Sequence, residues 1–409
     1  MTHSSTPRVS VLRSGVLVCL LAVVVLFGYA IARPAIESLF LSAYGVPSLP
    51  TVWLAVAVTA LVTVAGYNAA AARYPLGTVM VGSVVISLVT LVALVLFHRS
   101  GARLGAFLLY VWKDVHIVVL LEALWSFANL VFKQRTARWF YGLFCAAGSV
   151  GGVLAQRFST GVTLWLLVPL FLVEGGLIWQ LAKAAGVPRP DRQSAEKPTA
   201  SWALLRKSPY LVWLLALVGL VQVVITLVDY TYNDAIARAY PDTDARTVVI
   251  GQVYAVIDGS SFVLQLATGL VLRALGLRAT LLGIPVLLGV LAASFAVAPR
   301  FALMAATKVA SKAFDYSLFR AAKEMLYLPL SYADKTRGKA LIDMLTYRVA
   351  KGGASLLLVG IVALGIVSGV KIATVVLIGL WLLVTVVVTR RHARLRPVED
   401  DEGDGSRGL

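Results

Sequence analysis

Long apolar runs separated by short polar segments are the dominant pattern of this sequence. An α-helix needs about 20 mostly apolar residues to cross the hydrocarbon core of a bilayer. Runs of that kind occur twelve times, at residues 13–33, 48–71, 76–97, 104–131, 140–158, 162–183, 209–233, 247–272, 279–298, 301–327, 340–366 and 370–389. The pattern therefore predicts an all-α polytopic membrane protein with about 12 transmembrane helices.

Two polar segments divide the chain. Residues 184–208 contain three prolines and several charged side chains, and residues 390–409 end in an acidic, glycine-rich tail. We expect an N-terminal six-helix half over 1–183, a cytoplasmic linker over 184–208, a C-terminal six-helix half over 209–389 and a disordered cytoplasmic tail over 390–409. Six plus six helices around a cytoplasmic linker resemble the plan of the major facilitator superfamily, whose halves are structural repeats.

The composition is that of a membrane protein. Hydrophobic residues make up 59% of the chain and charged residues 14%, whereas about a quarter of the residues in a soluble domain are charged. The net charge of +17 follows from the enrichment of Lys and Arg in cytoplasmic loops, not from nucleic-acid binding. Placing both termini in the cytoplasm of a bacterial inner membrane puts most of these residues on one side. The predicted partners are the lipid bilayer and a small solute, with no nucleic acid, and the protein is expected to be a monomer.

Charged side chains inside the predicted spans follow helical faces. A charge near the centre of a span costs roughly 3 kcal/mol on insertion scales, so such residues usually face a water-filled cavity or pair with one another. In the tenth span, the spacings of Lys308, Lys312, Asp315 and Lys323 place them on one face of the helix, as a polar stripe along its length. This span is net basic and would attract an anionic group.

Similar polar stripes are present in other spans. In the C-terminal half they consist of Gln222, Thr226, Asp229 and Asn233, of Tyr254, Asp258, Ser261, Gln265 and Thr268, and of Asp343, Tyr347, Lys351 and Ser355. In the N-terminal half the polar residues are Arg33, Glu37, Lys113, Asp114, His116, Glu122, Asn129 and Glu174. Together they predict an aqueous route through the protein. Two other roles remain open: some of these charges form structural ion pairs, and some of the acids carry protons.

The sequence contains no pattern typical of a soluble enzyme. It has no P-loop, so it does not predict an ATP-driven pump. It also has no His and Cys cluster with metal-ligand spacing, and Cys19 and Cys145 fall in apolar segments, where we expect packed thiols. We therefore expect a protein that is not an enzyme, with no catalytic residues, no cofactor and no metal site.

Three stretches of the sequence resemble the nucleotide transporter family of plastids and obligate intracellular bacteria, which includes the ATP/ADP translocases. The first, Trp125–Asn129 with 137–144 and 148–151, is similar to W-x-F-A-N…A-x-R-x-Y-x-L-F-G. The second, Leu227–Tyr232, is similar to L-V-E-x-T-W. The third is similar to Y-S-L-F…K-E-M-x-Y-I-P-L…K-x-K-A-x-I-D…G-K-S-G-G and consists of Tyr316–Phe319, Lys323–Leu330, Lys335, Gly338–Ala340, Ile342–Asp343 and Lys351–Gly353.

The resemblance implies a transporter that works by alternating access. It places the family's important lysine at Lys323, its acidic residue of the seventh span at Asp229, and an acidic residue of the fourth span at Asp114. In the first span, the family's R-D-T-K-D corresponds to Arg33-Pro-Ala-Ile-Glu37, so Ile36 replaces one of two phosphate-directed lysines. A polyphosphate needs several positive charges, and this replacement therefore argues against a nucleotide more than against other anions.

The residues that we expect to contact the substrate or couple its movement come from both halves. They are Lys323, Asp229, Lys308, Lys312, Arg33, Asp114, Asp258, Glu122, Lys351 and Asn233. The function that we expect is secondary transport of an anionic or phosphate-bearing solute, resembling the ATP/ADP exchangers. The alternatives are a lipid or amphiphile translocator of the same fold and a non-transporting membrane sensor or assembly partner. The sequence leaves open the identity of the solute and the choice between symport, exchange and uniport.

Overall fold

The structure is a computed structural model that describes residues 8–131, 158–185, 208–330, 342, 349–366 and 369–395. Throughout this part of the chain the regular secondary structure is helical. The α-helices are α1 (Arg8–Tyr44), α2 (Leu49–Ala71), α3 (Leu76–Arg99), α4 (Arg103–Val131), α5 (Thr160–Ala185), α6 (Pro209–Ala239), α7 (Thr243–Val297), α8 (Phe301–Phe314), α9 (Arg320–Leu326), α10 (Lys351–Ala363) and α11 (Gly369–His392).

The described helices confirm most of the predicted spans. Eight of them are long and apolar enough to cross a membrane. Eleven of the twelve predicted spans contain a described helix. The fifth predicted span, most of the linker, the tail beyond residue 395 and the predicted stripe residues Asp343 and Tyr347 lie outside the described residues.

The first helix is longer than predicted. The prediction ended at residue 33, where a charged residue precedes a proline, but α1 continues through Pro34 to Tyr44. Its 37 residues extend for about 55 Å at 1.5 Å per residue, well beyond a hydrocarbon core of about 30 Å. The predicted end was wrong because Arg33 and Glu37 are not loop residues; both lie within the helix and line a cavity.

The eighth and ninth predicted spans form one hydrogen-bonded element, α7. Its 55 residues would measure about 80 Å as a straight helix, far more than a bilayer core. Gly276 interrupts the helix with φ 76° and ψ 167°, a conformation that glycine adopts without steric penalty. Gly276 therefore divides α7 into two helices across a kink, which agrees with the two spans that the sequence predicted.

The tenth span changes its helical pitch in the middle. Between α8 and α9, Asp315–Phe319 forms a π-helical segment. Such a segment inserts about one extra residue into an α-helix, and it occurs frequently at functional sites. Side chains after the segment are consequently rotated by roughly 100° from the face that a regular α-helix would give them.

Helix packing brings the two predicted halves into contact. α1 packs against α4, α5 and α7, and α2 packs against α10. Around the outside, large apolar side chains point away from the protein, and Leu172, Val263, Leu266 and Leu270 are each more than 60% exposed. In water these surfaces would favour association, whereas lipid tails solvate them. The polar groups are instead concentrated between the halves.

Candidate functional site

A cavity of about 400 Å³ lies between the helices of the two predicted halves. This volume is within the range of roughly 300–1,000 Å³ that is typical of small-molecule sites. Its charged lining, among the described residues, comprises Arg33, Glu37, Lys113, Asp114, Asp229, Lys308, Lys312 and Lys351. Five of these side chains are cationic and three are anionic, so the cavity is net positive.

Asp229 of α6 bridges two lysines of α8. Lys308 Nζ donates to Asp229 Oδ1 at 2.5 Å, and Lys312 Nζ lies 3.1 Å from Asp229 Oδ2. The lysines are one helical turn apart, so both ammonium groups reach the same carboxylate. The side chains of Lys308 and Asp229 are only 3% and 19% exposed, which limits screening by solvent. One carboxylate faces two ammonium groups, which leaves a surplus positive charge at this wall.

Lys113 of α4 forms a second charged cluster on the opposite half. Its Nζ lies 2.7 Å from Asp114 Oδ1 and 3.6 Å from Glu37 Oε1 of α1. Tyr254 of α7 donates its hydroxyl hydrogen to Glu37 Oε2 at 3.0 Å. This hydrogen bond joins α1 to α7 across the cavity.

Arg33 of α1 has no carboxylate ion pair among the described residues. Its guanidinium carbon lies 3.2 Å from the centroid of the Tyr254 ring and 5.3 Å from that of the Tyr29 ring, so two aromatic faces stabilise the cation. Its Nε is buried and lacks a hydrogen-bond acceptor within the described part of the chain. A buried donor without an acceptor is destabilising. An anion that entered the cavity would satisfy it.

Aromatic side chains complete the lining, and the sequence analysis did not identify them. Trp53 of α2 donates its indole N–H to the Tyr110 hydroxyl at 2.9 Å, and the Tyr110 ring lies 4.2 Å from Lys113 Nζ. Tyr29 and Tyr316 also line the cavity. The second span has no charged residue, so a search for charged stripes passed over it. The indole N–H of Trp53, a polar group in an otherwise apolar span, was the signal that could have identified the second span as part of the lining.

Seven of the ten predicted site residues line this cavity. They are Arg33, Asp114, Asp229, Asn233, Lys308, Lys312 and Lys351. Asp258 lies outside the lining on α7, within electrostatic reach of Arg33. Glu122 lies on α4, in the part of the helix whose side chains are outside the description.

Lys323 also lies outside the lining of the cavity. It belongs to α9, within electrostatic reach of Asp315. A regular α-helix would align Lys323 with Lys312, eleven residues earlier, but the π-helical segment between them rotates it to another face. This change of pitch was not visible in the spacing of the polar residues.

Ile36, the residue that replaces a lysine of the resembled motif, does not reach the cavity. Its side chain is fully buried in the hydrophobic core of the protein. Neighbouring Arg33 and Glu37 line the cavity instead. Lys113 places an ammonium group 3.6 Å from Glu37, so the α1 side of the cavity retains a lysine that comes from α4.

A group of hydrogen bonds centred on Arg246 joins α1 to α7 beyond the cavity. Arg246 is 3% exposed. Its Nη2 donates to Ser38 O at 2.8 Å and to Ser42 Oγ, and its Nε donates to Ser38 Oγ at 3.1 Å. Its Nη1 reaches the carbonyl groups of Tyr240 and Pro241. The predicted eighth span began at residue 247, just after Arg246, whereas α7 already begins at Thr243.

The same end of α7 is also joined to α5. Asp244 Oδ1 accepts a hydrogen bond from Thr160 N at 2.8 Å, and the hydroxyl groups of Thr160 and Thr247 are 2.8 Å apart. Ser38 in turn donates to Thr243 O at 2.7 Å. We call Ser38, Ser42, Thr160, Thr243, Asp244, Arg246 and Thr247 the polar seal. Its hydrogen bonds join α1, α5 and α7 at this end.

Comparison with known proteins identifies sequence relatives. The family model described as the TLC ATP/ADP transporter matches residues 189–306 and 297–392. ADP,ATP carrier protein 1 of Chlamydia muridarum is 29% identical over 336 residues, which is 67% of this chain and 62% of the relative. ADP,ATP carrier protein 1 of Arabidopsis thaliana chloroplasts is 26% identical over 290 residues, which is 60% of this chain and 46% of the relative. The match thus spans less than two thirds of these relatives, which are carriers and not enzymes.

Solved structures with the same fold are transporters. A bacterial homologue of the iron transporter ferroportin, in its inward-facing state, has a TM-score of 0.69 at 13% identity, covering 92% of this chain and 99% of the other. The nucleoside transporter NupG has a TM-score of 0.63 at 12% identity, covering 92% and 98%. These similarities show the major-facilitator-like fold that the helix count predicted.

The family match covers the C-terminal half, which contains the Asp229 and Lys308 cluster, and the carrier relatives extend the similarity to about two thirds of the chain. The sequence motifs, the helical architecture and the charged cavity agree with this match. The chain therefore belongs to the TLC ATP/ADP transporter family, as a divergent member with a major-facilitator-like fold.

Proposed function

We propose that this protein is a secondary transporter that moves an anionic, phosphate-bearing solute through the cavity by alternating access. The observation that carries the proposal is the Asp229 bridge: one half-buried carboxylate faces Lys308 and Lys312 at 2.5 and 3.1 Å. A phosphate group would compete with this carboxylate for the two ammonium groups. Binding would then loosen the contact between α6 and α8, which is a differential contact of the kind that alternating access requires.

A nucleoside phosphate is the first candidate within this class. The relatives named ADP,ATP carriers support it, and so do the aromatic rings of Trp53 and Tyr110, which offer apolar surface for a base on the wall formed by α2 and α4. The lysines of α8 and the guanidinium of Arg33 would hold the phosphates. Lys113 supplies a positive charge on the α1 side of the cavity, where Ile36 replaces a lysine of the resembled motif.

The charged lining does not favour the two alternative functions. An amphiphile translocator needs a continuous apolar surface for its chain, whereas eight charged side chains line this cavity. A sensor or assembly partner would not require a net positive cavity between the two halves. Both alternatives therefore rank below transport.

The proposed function also includes an orientation of the chain in the membrane. We propose two six-helix halves, over residues 1–183 and 209–389, joined by a cytoplasmic linker, with both termini in the cytoplasm of a bacterial inner membrane. In this orientation the polar seal lies on the outer side of the cavity. The Lys and Arg content of the even-numbered connections supports the assignment.

A thermal-shift panel on purified protein tests the binding part of the proposal. ATP, ADP, pyrophosphate and inorganic phosphate would be compared with an uncharged nucleoside and with a phospholipid. We expect phosphate-bearing ligands to raise Tm in the wild type and in Asp234→Asn, a variant on the same helix as Asp229 that breaks only an ion pair with the exposed Arg238. The effect should be lost in Lys308→Met. Equal shifts in wild type and Lys308→Met, or no shift with any anion, would contradict the proposal.

A further inference from the structure

Glu174 is a buried acidic residue that the proposed substrate contacts do not use. It lies near the middle of α5, with 1% of its surface exposed. Its Oε2 is buried and has no hydrogen-bond partner among the described residues. The ion pairs of the described chain involve Glu37, Asp114, Asp229 and Asp234 but not Glu174.

The surroundings of this carboxyl group are mostly apolar. Leu167 and Phe171 of α5 and Val25 and Ala32 of α1 line a small void beside it, of about 10 Å³. A void of this size holds about one water molecule. Gly28 of α1 lies beside the carboxyl group, since a Cβ at this position would be in ordinary van der Waals contact with Glu174 Oε1, at 3.8 Å.

Titratable side chains reach the void from two neighbouring helices. α1 contributes Tyr29, and α4 contributes Lys113 and His116. α3 also packs against α5 and approaches with Val84, which has no ionisable group, whereas the Asp244 and Thr247 contacts of α7 are with Thr160, fourteen residues before Glu174. The Lys113 ammonium is engaged by the carboxylates of its own cluster, 2.7 and 3.6 Å away.

His116 is held by other groups as well. Its Nδ1 lies 2.9 Å from Ser87 Oγ of α3, and its ring stacks on Trp112 and Phe171 with centroid distances of 5.1 and 4.6 Å. No Lys, Arg or His nitrogen of the described residues therefore forms an ion pair with Glu174. An unpaired carboxylate in an apolar site at membrane depth is strongly unfavourable, and the uncharged acid is favoured instead.

The void borders the proposed substrate cavity. Tyr29 and Lys113 line both spaces, so they form the wall that separates them. The Tyr29 hydroxyl donates a hydrogen bond to Asp114 Oδ1 at 3.5 Å. A proton that left Glu174 for a water molecule in the void would have the Asp114 carboxylate as the next acceptor, and Asp114 opens onto the cavity.

We propose that Glu174 is a proton-binding site whose proton exchanges with the substrate cavity by way of Tyr29 and Asp114, which couples solute movement to the proton gradient. The existence of the proton site stands on the burial and isolation of the carboxyl group. Its coupling to a solute rests on the proposed transport function. The two statements are tested by separate experiments.

Infrared difference spectroscopy tests the proton site without any substrate. Purified protein in nanodiscs would be titrated from acidic to alkaline pH while the carbonyl stretch of protonated carboxyl groups is recorded. We expect part of this band to persist at neutral pH in the wild type and in Asp234→Asn, and to be missing from Glu174→Gln. A band of equal size in Glu174→Gln at neutral pH would overturn the proposal.

Chemical modification of the wild type provides a measurement that does not depend on the folding of a variant. Dicyclohexylcarbodiimide reacts with protonated carboxyl groups in apolar surroundings, and mass spectrometry locates the adduct. We expect the peptide that contains Glu174 to be labelled at neutral pH and the peptide that contains Asp234 to remain unmodified. Absence of label on Glu174 would overturn the proposal.

Proteoliposomes that contain a pH-sensitive dye test the coupling, with ADP outside and ATP inside as the probes. We expect nucleotide movement by the wild type to be accompanied by proton movement, and Glu174→Gln to lose the proton movement while it retains nucleotide exchange. Equal proton movement by the two proteins would overturn the coupling. If the wild type moved no nucleotide, the proposed function would fail for this substrate, and the infrared and labelling results would still decide the proton site.

Discussion

Replacement of Asp229 by Asn should produce a large loss of stability that an anion can restore. The substitution keeps the size of the side chain but leaves the buried Lys308 and the half-buried Lys312 as neighbouring cations without their shared carboxylate. At separations of 2.5 and 3.1 Å, Coulomb's law with an effective dielectric constant of about 20 gives roughly 5–7 kcal/mol of attraction for each contact. Desolvation offsets part of this attraction, and removal of one partner from a buried ion pair typically costs about 3–5 kcal/mol.

The assay is unfolding of the purified protein by titration with SDS, followed by tryptophan fluorescence. Asp234→Asn is the matched control, because Asp234 lies on the same helix and forms a 2.9 Å ion pair with Arg238, whose side chain is 74% exposed. A surface pair of this kind contributes less than about 1 kcal/mol. We expect Asp229→Asn to be about 3 kcal/mol less stable than the control variant. Millimolar pyrophosphate should recover more of the loss in Asp229→Asn than it adds to the wild type.

Two results would refute this reasoning. If Asp229→Asn were as stable as Asp234→Asn, the bridge would not carry the electrostatic energy assigned to it. If stability fell but pyrophosphate had the same effect on all three proteins, Lys308 and Lys312 would not form an anion site. A second substitution, Lys308→Met in the Asp229→Asn background, removes the repulsion and should restore stability, which distinguishes repulsion from a general packing defect.

Three other changes test other parts of the structure. Arg246→Ala removes charge-assisted hydrogen bonds of the polar seal, worth about 1.5–3 kcal/mol each, and should make the cavity more accessible from outside the cell. A water-soluble maleimide should then label a cysteine introduced at Asn233 at least about tenfold faster. An unchanged labelling rate would show that the polar seal does not close the cavity. Tyr254→Phe removes the hydroxyl bond to Glu37 but keeps the ring, and should lower stability by about 1 kcal/mol in the SDS titration; a loss several times larger would assign another role to this hydroxyl. Lys323→Met should leave the anion-induced rise in Tm unchanged, because Lys323 lies outside the cavity lining; a lost shift would place it in the binding site.

The sequence predicted the helices well because bilayer thickness and apolar run length are closely linked. The limits of α2 and α4 agree with the prediction to within one residue. The main error, the early end of the first span, arose at Arg33 and Pro34. A charge followed by a proline usually ends a span in lipid, but here the helix faces a polar cavity and remains helical to Tyr44.

The charged part of the site was also largely predictable. Asp229 and Asn233 are four residues apart, as are Lys308 and Lys312, and both pairs face the cavity because an α-helix repeats every 3.6 residues. Lys323 illustrates the limit of that argument. Periodicity assumes one constant pitch, and the π-helical segment at Asp315–Phe319, which contains no proline or glycine, breaks the register.

Contacts between distant helices could not be predicted from spacing. Arg246 precedes the predicted span at residues 247–272, yet it is buried and donates a hydrogen bond to Ser38, more than 200 positions earlier in the chain. The bond from Tyr254 to Glu37 has the same character. Such contacts depend on how the two halves pack, and a hydropathy pattern records only which face of each helix avoids lipid.

Uptake into liposomes that contain the purified protein measures directly whether it transports a phosphate-bearing solute. Labelled ATP, ADP, inorganic phosphate or an uncharged nucleoside would be added outside, with and without unlabelled ADP inside. We expect wild type and Asp234→Asn to accumulate at least one phosphate-bearing solute above the level of empty liposomes. We also expect pyrophosphate to compete with this uptake and Lys308→Met to abolish it. Accumulation of the uncharged nucleoside alone, or equal uptake of a phosphate-bearing solute by Lys308→Met, would contradict the account.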